Sequence, residues 1–159
     1  MKVDCIIDGK SLLLNLNSNK PLSLILSEDI QNPAISSHCN GELCGLCVVL
    51  MDGKAVLSCL VPAFEIRGKS IITFDGYAKT KNAKDIEKAY ELMHIRPCPT
   101  CYNARTLLIE SLLSNNMTSR EEIIREMECV KCHCLEYNDM VRIVQAANEI
   151  RRKRHARRS

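Results

Sequence analysis

The chain has 159 residues, 46% of them hydrophobic, and a net charge of +3. That length allows one medium domain or two small ones, and no apolar run is long enough to span a membrane. Ten cysteines beside 4% aromatic residues and no Trp suggest a chain that leans on metal more than on large buried rings. The N-terminal MKVDCIIDGK lacks the apolar segment and small-residue cleavage site of a secretory leader. The expected compartment is therefore the reducing cytoplasm, where clustered cysteines bind metal or do redox chemistry and seldom form disulfides.

Residues 2–8 alternate, with Val3, Cys5 and Ile7 on one face. Asp8-Gly9 then gives a two-residue turn signal, and Leu12, Leu14 and Leu16 alternate back. Cys5 falls on the buried face and reads as core, not as a ligand. Asn19 is placed to cap a helix whose first turn holds Pro21 and whose apolar face is Leu22, Ile25, Leu26 and Ile30. Val48–Met51 reads as a strand, Asp52-Gly53 as a second tight turn, Lys54–Leu60 as the returning strand and Ser70–Phe74 as a closing strand. These elements predict a small β-grasp sheet crossed by one helix.

From about residue 79 the pattern changes. Ile86, Ala89, Tyr90 and Met93 keep helical spacing, as do Ala104, Leu107, Leu108 and Leu112. Thr118-Ser119-Arg120-Glu121 reads as a capping box ahead of Ile123, Ile124 and Met127. Met140, Ile143, Val144 and Ala147 make a fourth face. Four such helices predict a small four-helix bundle over 79–159, beside a β-grasp domain over 1–78. The terminal RRKRHARRS, with six Lys or Arg, reads as a solvated and disordered end. Without interleaved aromatic residues it is a poor nucleic-acid surface.

The chemistry lies in the cysteines. CNGELCGLCVVLMDGKAVLSC places Cys39, Cys44 and Cys47 as C-x4-C-x2-C in a glycine-bearing loop. A hairpin then returns Cys59. This is the plant-type spacing for a 2Fe-2S cluster. Gly41 and Gly45 suit close passage of backbone past sulfide. Cys98 and Cys101 fall between the first two helices of the second half, and Cys129, Cys132 and Cys134 between the last two. Loops at one end of a bundle can bring these groups to a shared metal centre. His38, His94 and His133 lie near cysteines but read as solvated loop residues, since enough thiols are present. No nucleophile triad, phosphate-binding glycine loop or paired-carboxylate motif stands out.

These residues resemble the small iron–sulfur subunit of the molybdenum hydroxylases, the xanthine dehydrogenase and aldehyde oxidoreductase group. The resemblance runs from the first cysteine motif through Thr73-Phe74-Asp75-Gly76, Cys98-x-x-Cys101 and Cys132-His133-Cys134 to Tyr137 and the last helix. It implies two 2Fe-2S clusters: Cys39, Cys44, Cys47 and Cys59 would hold one, and Cys98, Cys101, Cys132 and Cys134 the other. Since Cys132 and Cys134 match the family spacing, Cys129 reads as an inert or spare thiol, with replacement of one ligand left open. It implies an electron-transfer subunit of an oxidoreductase with no substrate site of its own. Its partners would be an FAD-binding subunit or domain and a molybdopterin-binding large subunit. Electrons would pass from the molybdopterin through the helical-domain cluster, then the β-grasp cluster, to the flavin. The chain departs from the family's Gln-Cys-Gly-x-Cys-x-Pro-Gly pattern at Pro97 and Pro99, and Glu136 stands where a glycine is usual. Two other readings stay open. One is a stand-alone ferredoxin-like carrier with a zinc-bound or empty helical half. The other is a zinc-stabilised nucleic-acid-binding module.

Overall fold

A computed structural model describes residues 1–35 and 44–158. The chain opens with β1 (Lys2–Ile7) and β2 (Lys10–Asn15), paired antiparallel from Lys2 opposite Asn15 to Ile7 opposite Lys10. Asp8 and Gly9 both have positive φ, 50° and 82°, as the mirror-image turn between twisted strands requires. The Asp52-Gly53 turn between β3 (Val48–Met51) and β4 (Lys54–Leu57) repeats that geometry. With β5 (Ser70–Ile72) the sheet runs in the order β2-β1-β5-β3-β4; the β1–β5 pair is parallel and the other three pairs of this sheet are antiparallel.

The sheet is covered on both faces. Val3, Cys5, Ile7, Val49 and Ile71 face one core with Leu22, Ile25, Leu26 and Ile66. Val48 and Leu50 face the other, which includes Leu107, Leu108 and Leu112. The two faces of β3 thus feed different cores, which explains why it reads as a continuous apolar run and not as an alternation. Cys5 is buried core, as its alternation predicts.

The short helix after β2 differs from expectation. It is one turn, α1 (Leu22–Leu24), continued by a wider π-helical turn over Ile25–Asp29. Pro21, not Asn19, holds the cap position; Asn19 instead accepts a hydrogen bond from the Phe64 N–H at 3.2 Å. The strand after Asp52-Gly53 ends at Leu57, and Cys59 rides on a 3₁₀ turn over Ser58–Leu60. The closing strand stops at Ile72, and Phe74–Tyr77 forms a short helix, α2. Asp8 enforces that stop. Its carboxylate accepts the Thr73 N–H at 2.8 Å and the Thr73 hydroxyl at 2.6 Å. A Cβ on Gly76 would stand 2.3 Å from Asp8 Oδ1, so only glycine fits there.

The second half is mainly helical: α3 (Lys81–Met93), α4 (Tyr102–Ser114), α5 (Arg120–Met127) and α6 (Tyr137–Ala156). These are not arranged as a free-standing four-helix bundle. Every residue of α4 from Ala104 to Leu113 is buried; the helix packs against β3 and β4 as well as α3, α5 and α6. A helix buried on every side needs such cover, and its buried polar residues Arg105, Thr106, Glu110 and Ser111 all find partners in it. The capping box sits one residue later than the sequence suggests. Ser119 Oγ accepts the Glu122 N–H, and the Glu122 carboxylate accepts the Ser119 N–H.

The basic terminus is helical as far as Ala156 and not disordered; Arg152, Lys153, Arg157 and Arg158 are solvated as expected, but Arg151 and Arg154 turn inward. Arg151 is buried, bonding Glu110 at 2.6 and 3.1 Å and Asp85 at 3.4 Å. Arg154 pairs with Asp85 at 2.7 Å. The Tyr77 hydroxyl donates to Glu110 at 2.5 Å, and burial, then the Glu110 charge, pushes the phenol up in pKa. This network joins α2, α3, α4 and α6. Removing one partner of a buried pair strands the other. Arg151→Ala is expected to cost about 3–5 kcal/mol in denaturant unfolding, whereas the exposed Arg157→Ala should stay within about 0.5 kcal/mol.

Candidate metal centre

The first turn toward the site is made by Cys98-Pro99-Thr100-Cys101. The Cys101 and Tyr102 N–H groups donate to the Cys98 carbonyl at 3.1 and 2.9 Å. Pro99 occupies the second turn position, where its fixed φ is favourable. The departure at Pro99 is thereby accommodated by the local fold. Cys101 is the N-cap of α4, so its thiol lies at the positive end of a buried helix dipole. The opposing loop, between α5 and α6, carries Cys129, Cys132 and Cys134.

Cys98, Cys101, Cys132 and Cys134 converge, with all four sulfurs within 4.8 Å of one another. Individual S···S separations are 3.2 Å for Cys101–Cys134 and 3.5 Å for Cys98–Cys101 and for Cys98–Cys132. The Cys98 N–H also donates to the Cys134 sulfur at 3.5 Å. Cys101 is buried and Cys134 exposed, so the group has a dry side and a wet side. The Cys98 thiol is lowered to about 6, first by the Cys101 backbone and then by the Cys101 and Cys132 thiols. Burial, then Cys134 and Cys98, pushes the Cys101 thiol up. Four thiols this close cannot all ionise without a cation among them. The donor set therefore fits a thiolate-ligated centre, iron–sulfur or zinc.

Cys129 does not join the group. It is half-buried, its thiol raised by desolvation and then by Glu126. Its backbone has a different part. A Cβ on Gly45 would fall 2.0 Å from the Cys129 carbonyl oxygen, and Gly45 has φ +80°. Two residues after Cys129, the Lys131 N–H donates to the Cys44 carbonyl at 2.9 Å. The two cysteine motifs, remote in sequence, are thus in direct backbone contact.

Of the first motif, Cys39, with Gly41 and His38, lies outside the described residues. Cys47 and Cys59 are neighbours, the Cys59 N–H donating to the Cys47 sulfur at 3.4 Å. Ser58 fixes that approach: its hydroxyl donates to the Cys47 carbonyl at 2.7 Å. Among the described residues Cys44, Cys47 and Cys59 do not close into a second compact group. His94 and His133 are exposed and outside the four-cysteine group. Sequence reasoning missed Lys131, whose part is played by its backbone and leaves no side-chain signal. It also missed Arg105, a charge set in the apolar run of α4.

No protein-family model matches the chain. It is 30% identical over 145 residues to the xanthine dehydrogenase iron-sulfur-binding subunit of Escherichia coli, covering 89% of this chain and 91% of that one. It is 27% identical over 145 residues to the nicotine 6-hydroxylase small subunit of Paenarthrobacter nicotinovorans, covering 91% and 87%. Its fold superposes on a chain of the crystal structure of quinoline 2-oxidoreductase from Pseudomonas putida with a TM-score of 0.75, 26% identity and 96% coverage of both.

Three substitutions test the geometry. Cys132→Ser should lower the metal content of purified protein by one whole centre, while Cys129→Ser should leave it unchanged; elemental analysis reads both. Gly45→Ala combines positive φ with a backbone collision and should cost about 2 kcal/mol or more in thermal or denaturant unfolding.

Proposed function

Because the chain belongs to the small iron–sulfur subunit family of the molybdenum hydroxylases, we propose that it carries two 2Fe-2S clusters and relays electrons between partner subunits. Cys98, Cys101, Cys132 and Cys134 would hold one cluster within residues 79–159. Cys39, Cys44, Cys47 and Cys59 would hold the other in a β-grasp, plant-type ferredoxin domain over residues 1–78. The observation that carries this reading is the backbone contact between the two motifs, Lys131 N–H to Cys44 carbonyl, beside a closed set of four thiols.

Each bound cluster supplies one-electron uptake and release. The chain's own residues do the rest. The Cys98 and Cys59 N–H groups donate to the sulfurs of Cys134 and Cys47, bonds that favour the thiolate and tune potential. Cys98 and Cys132 pack against the core that includes Val130, Met127 and Cys101, which is the dry side of the site. The Lys131–Cys44 bond links a residue adjacent to one ligand with a ligand of the other set. Substrate oxidation belongs to a molybdopterin-binding large subunit, and the flavin of an FAD-binding subunit or domain takes the electrons onward. Pro97, which stands where the family pattern has glutamine, is buried and offers no side-chain donor.

A second reading has a specific observation behind it. Four sulfurs within 4.8 Å of one another also suit a single tetrahedral zinc, which would leave a one-cluster carrier. No helix among the described residues is long and apolar enough to cross a membrane, and the partners proposed here need none.

Iron, zinc and acid-labile sulfide on anaerobically purified full-length protein separate the readings. The two-cluster account expects about four irons and four sulfides per chain, with a visible chromophore that dithionite bleaches. About two irons with one zinc would establish the second reading, and colourless zinc protein would overturn both.

A further inference from the structure

Arg105 lies one turn into α4 and is the largest fully buried side chain among the described residues, 2% exposed. A buried guanidinium normally has a carboxylate partner. Arg151 has two, Glu110 and Asp85, but among the described residues no carboxylate lies within ion-pair distance of Arg105. Among the described residues, its Nη1 bonds are to the sulfurs of Met140 at 2.9 Å and Met127 at 3.8 Å. Its Nε has no hydrogen-bond partner among the described residues. Glu128 and Glu136 border the cleft of about 690 Å³ on which Arg105 abuts; both are exposed and neither pairs with it.

The one strong contact of Arg105 is to the site: Nη2 donates to the Cys132 carbonyl at 2.7 Å. Its own backbone N–H donates to the Cys101 carbonyl at 2.9 Å, since the two residues are a helical turn apart. The guanidinium therefore bonds one proposed ligand residue and is rooted one turn from another. A 2Fe-2S cluster held by four thiolates bears net negative charge, and reduction adds one more. A fixed positive charge in a low-dielectric surrounding favours the more negative state.

We propose that Arg105 is the built-in counter-charge of the cluster held by Cys98, Cys101, Cys132 and Cys134, and that it raises the reduction potential of that cluster. This rests on the two-cluster reading above. Arg105 is a positioning and tuning residue here, since it acts on the proposed ligand residues Cys132 and Cys101 and not on the metal.

The test is an EPR-monitored redox titration of full-length anaerobic protein, with the helical-region signal assigned by its loss in Cys98→Ser. Arg105→Met should move the midpoint of that signal to more negative potential and leave the other signal where it is. Arg105→Lys should keep the wild-type midpoint. If Arg105→Met fails to load, Arg105→Gln and Arg105→Lys give the same neutral-against-charged comparison. Neutral variants with the wild-type midpoint would overturn the proposal, as would a shift in Arg105→Lys equal to that of the neutral variants. A wild-type protein without two signals would instead overturn the two-cluster reading.

Discussion

The Lys131 N–H to Cys44 carbonyl hydrogen bond, with Gly45 pressed on the Cys129 carbonyl, sets where one cysteine loop lies relative to the other. A single such bond is worth only about 1 kcal/mol net. Its importance is positional, because it acts where no side chain can intervene. Gly45 has no Cβ to hold the loops apart, and its positive φ turns the backbone so that Cys44 presents its carbonyl to the helical half. A relay of electrons requires short and fixed separations, and backbone-to-backbone contact is the shortest separation two loops can have.

That contact persists because both loops are anchored from behind. The first loop leads into β3, which is buried on both faces. The second springs from α5 and returns into α6, whose far end is fixed by Arg151 to Glu110 on α4 and to Asp85 on α3. Helix α4 ties these together: it packs on the sheet, carries Cys101 at its N-terminus and buries Arg105 beside the thiols. Three ionisable groups that it turns inward have distinct fates. Glu110 pairs with Arg151, Cys101 joins the four-thiol set, and Arg105 faces the site with no carboxylate among the described residues in ion-pair reach. The last of these makes sense as an element of redox tuning once the cysteines hold an anionic centre.

Much of this was legible in the sequence. Two Asp-Gly pairs located both hairpin turns, and period-two alternation assigned Val3, Cys5 and Ile7 to the core. Helical spacing located the four long helices, and C-x2-C with Cys132 and Cys134 singled out the thiols that converge. What escaped was non-local. The stop of the last strand at Ile72 is imposed by Asp8, far away in sequence, and the burial of α4 on all sides follows from the sheet it meets. Most of the basic terminus is solvated as its charge suggests, but the inward turn of Arg151 and Arg154 left no local signal, because their partners Asp85 and Glu110 lie on other helices. The proposed ligand Cys39 lies outside the described residues, so the first thiol set rests on its spacing and on the Cys47–Cys59 approach.

Two clusters in fixed proximity within this one chain would be coupled to each other magnetically. Low-temperature EPR of the fully reduced full-length protein tests it most directly. Paramagnetic centres held close together should split or broaden each other's signals only when both are reduced, and the effect should vanish in Cys98→Ser. Two signals that merely add at full reduction, with no mutual broadening, would contradict it.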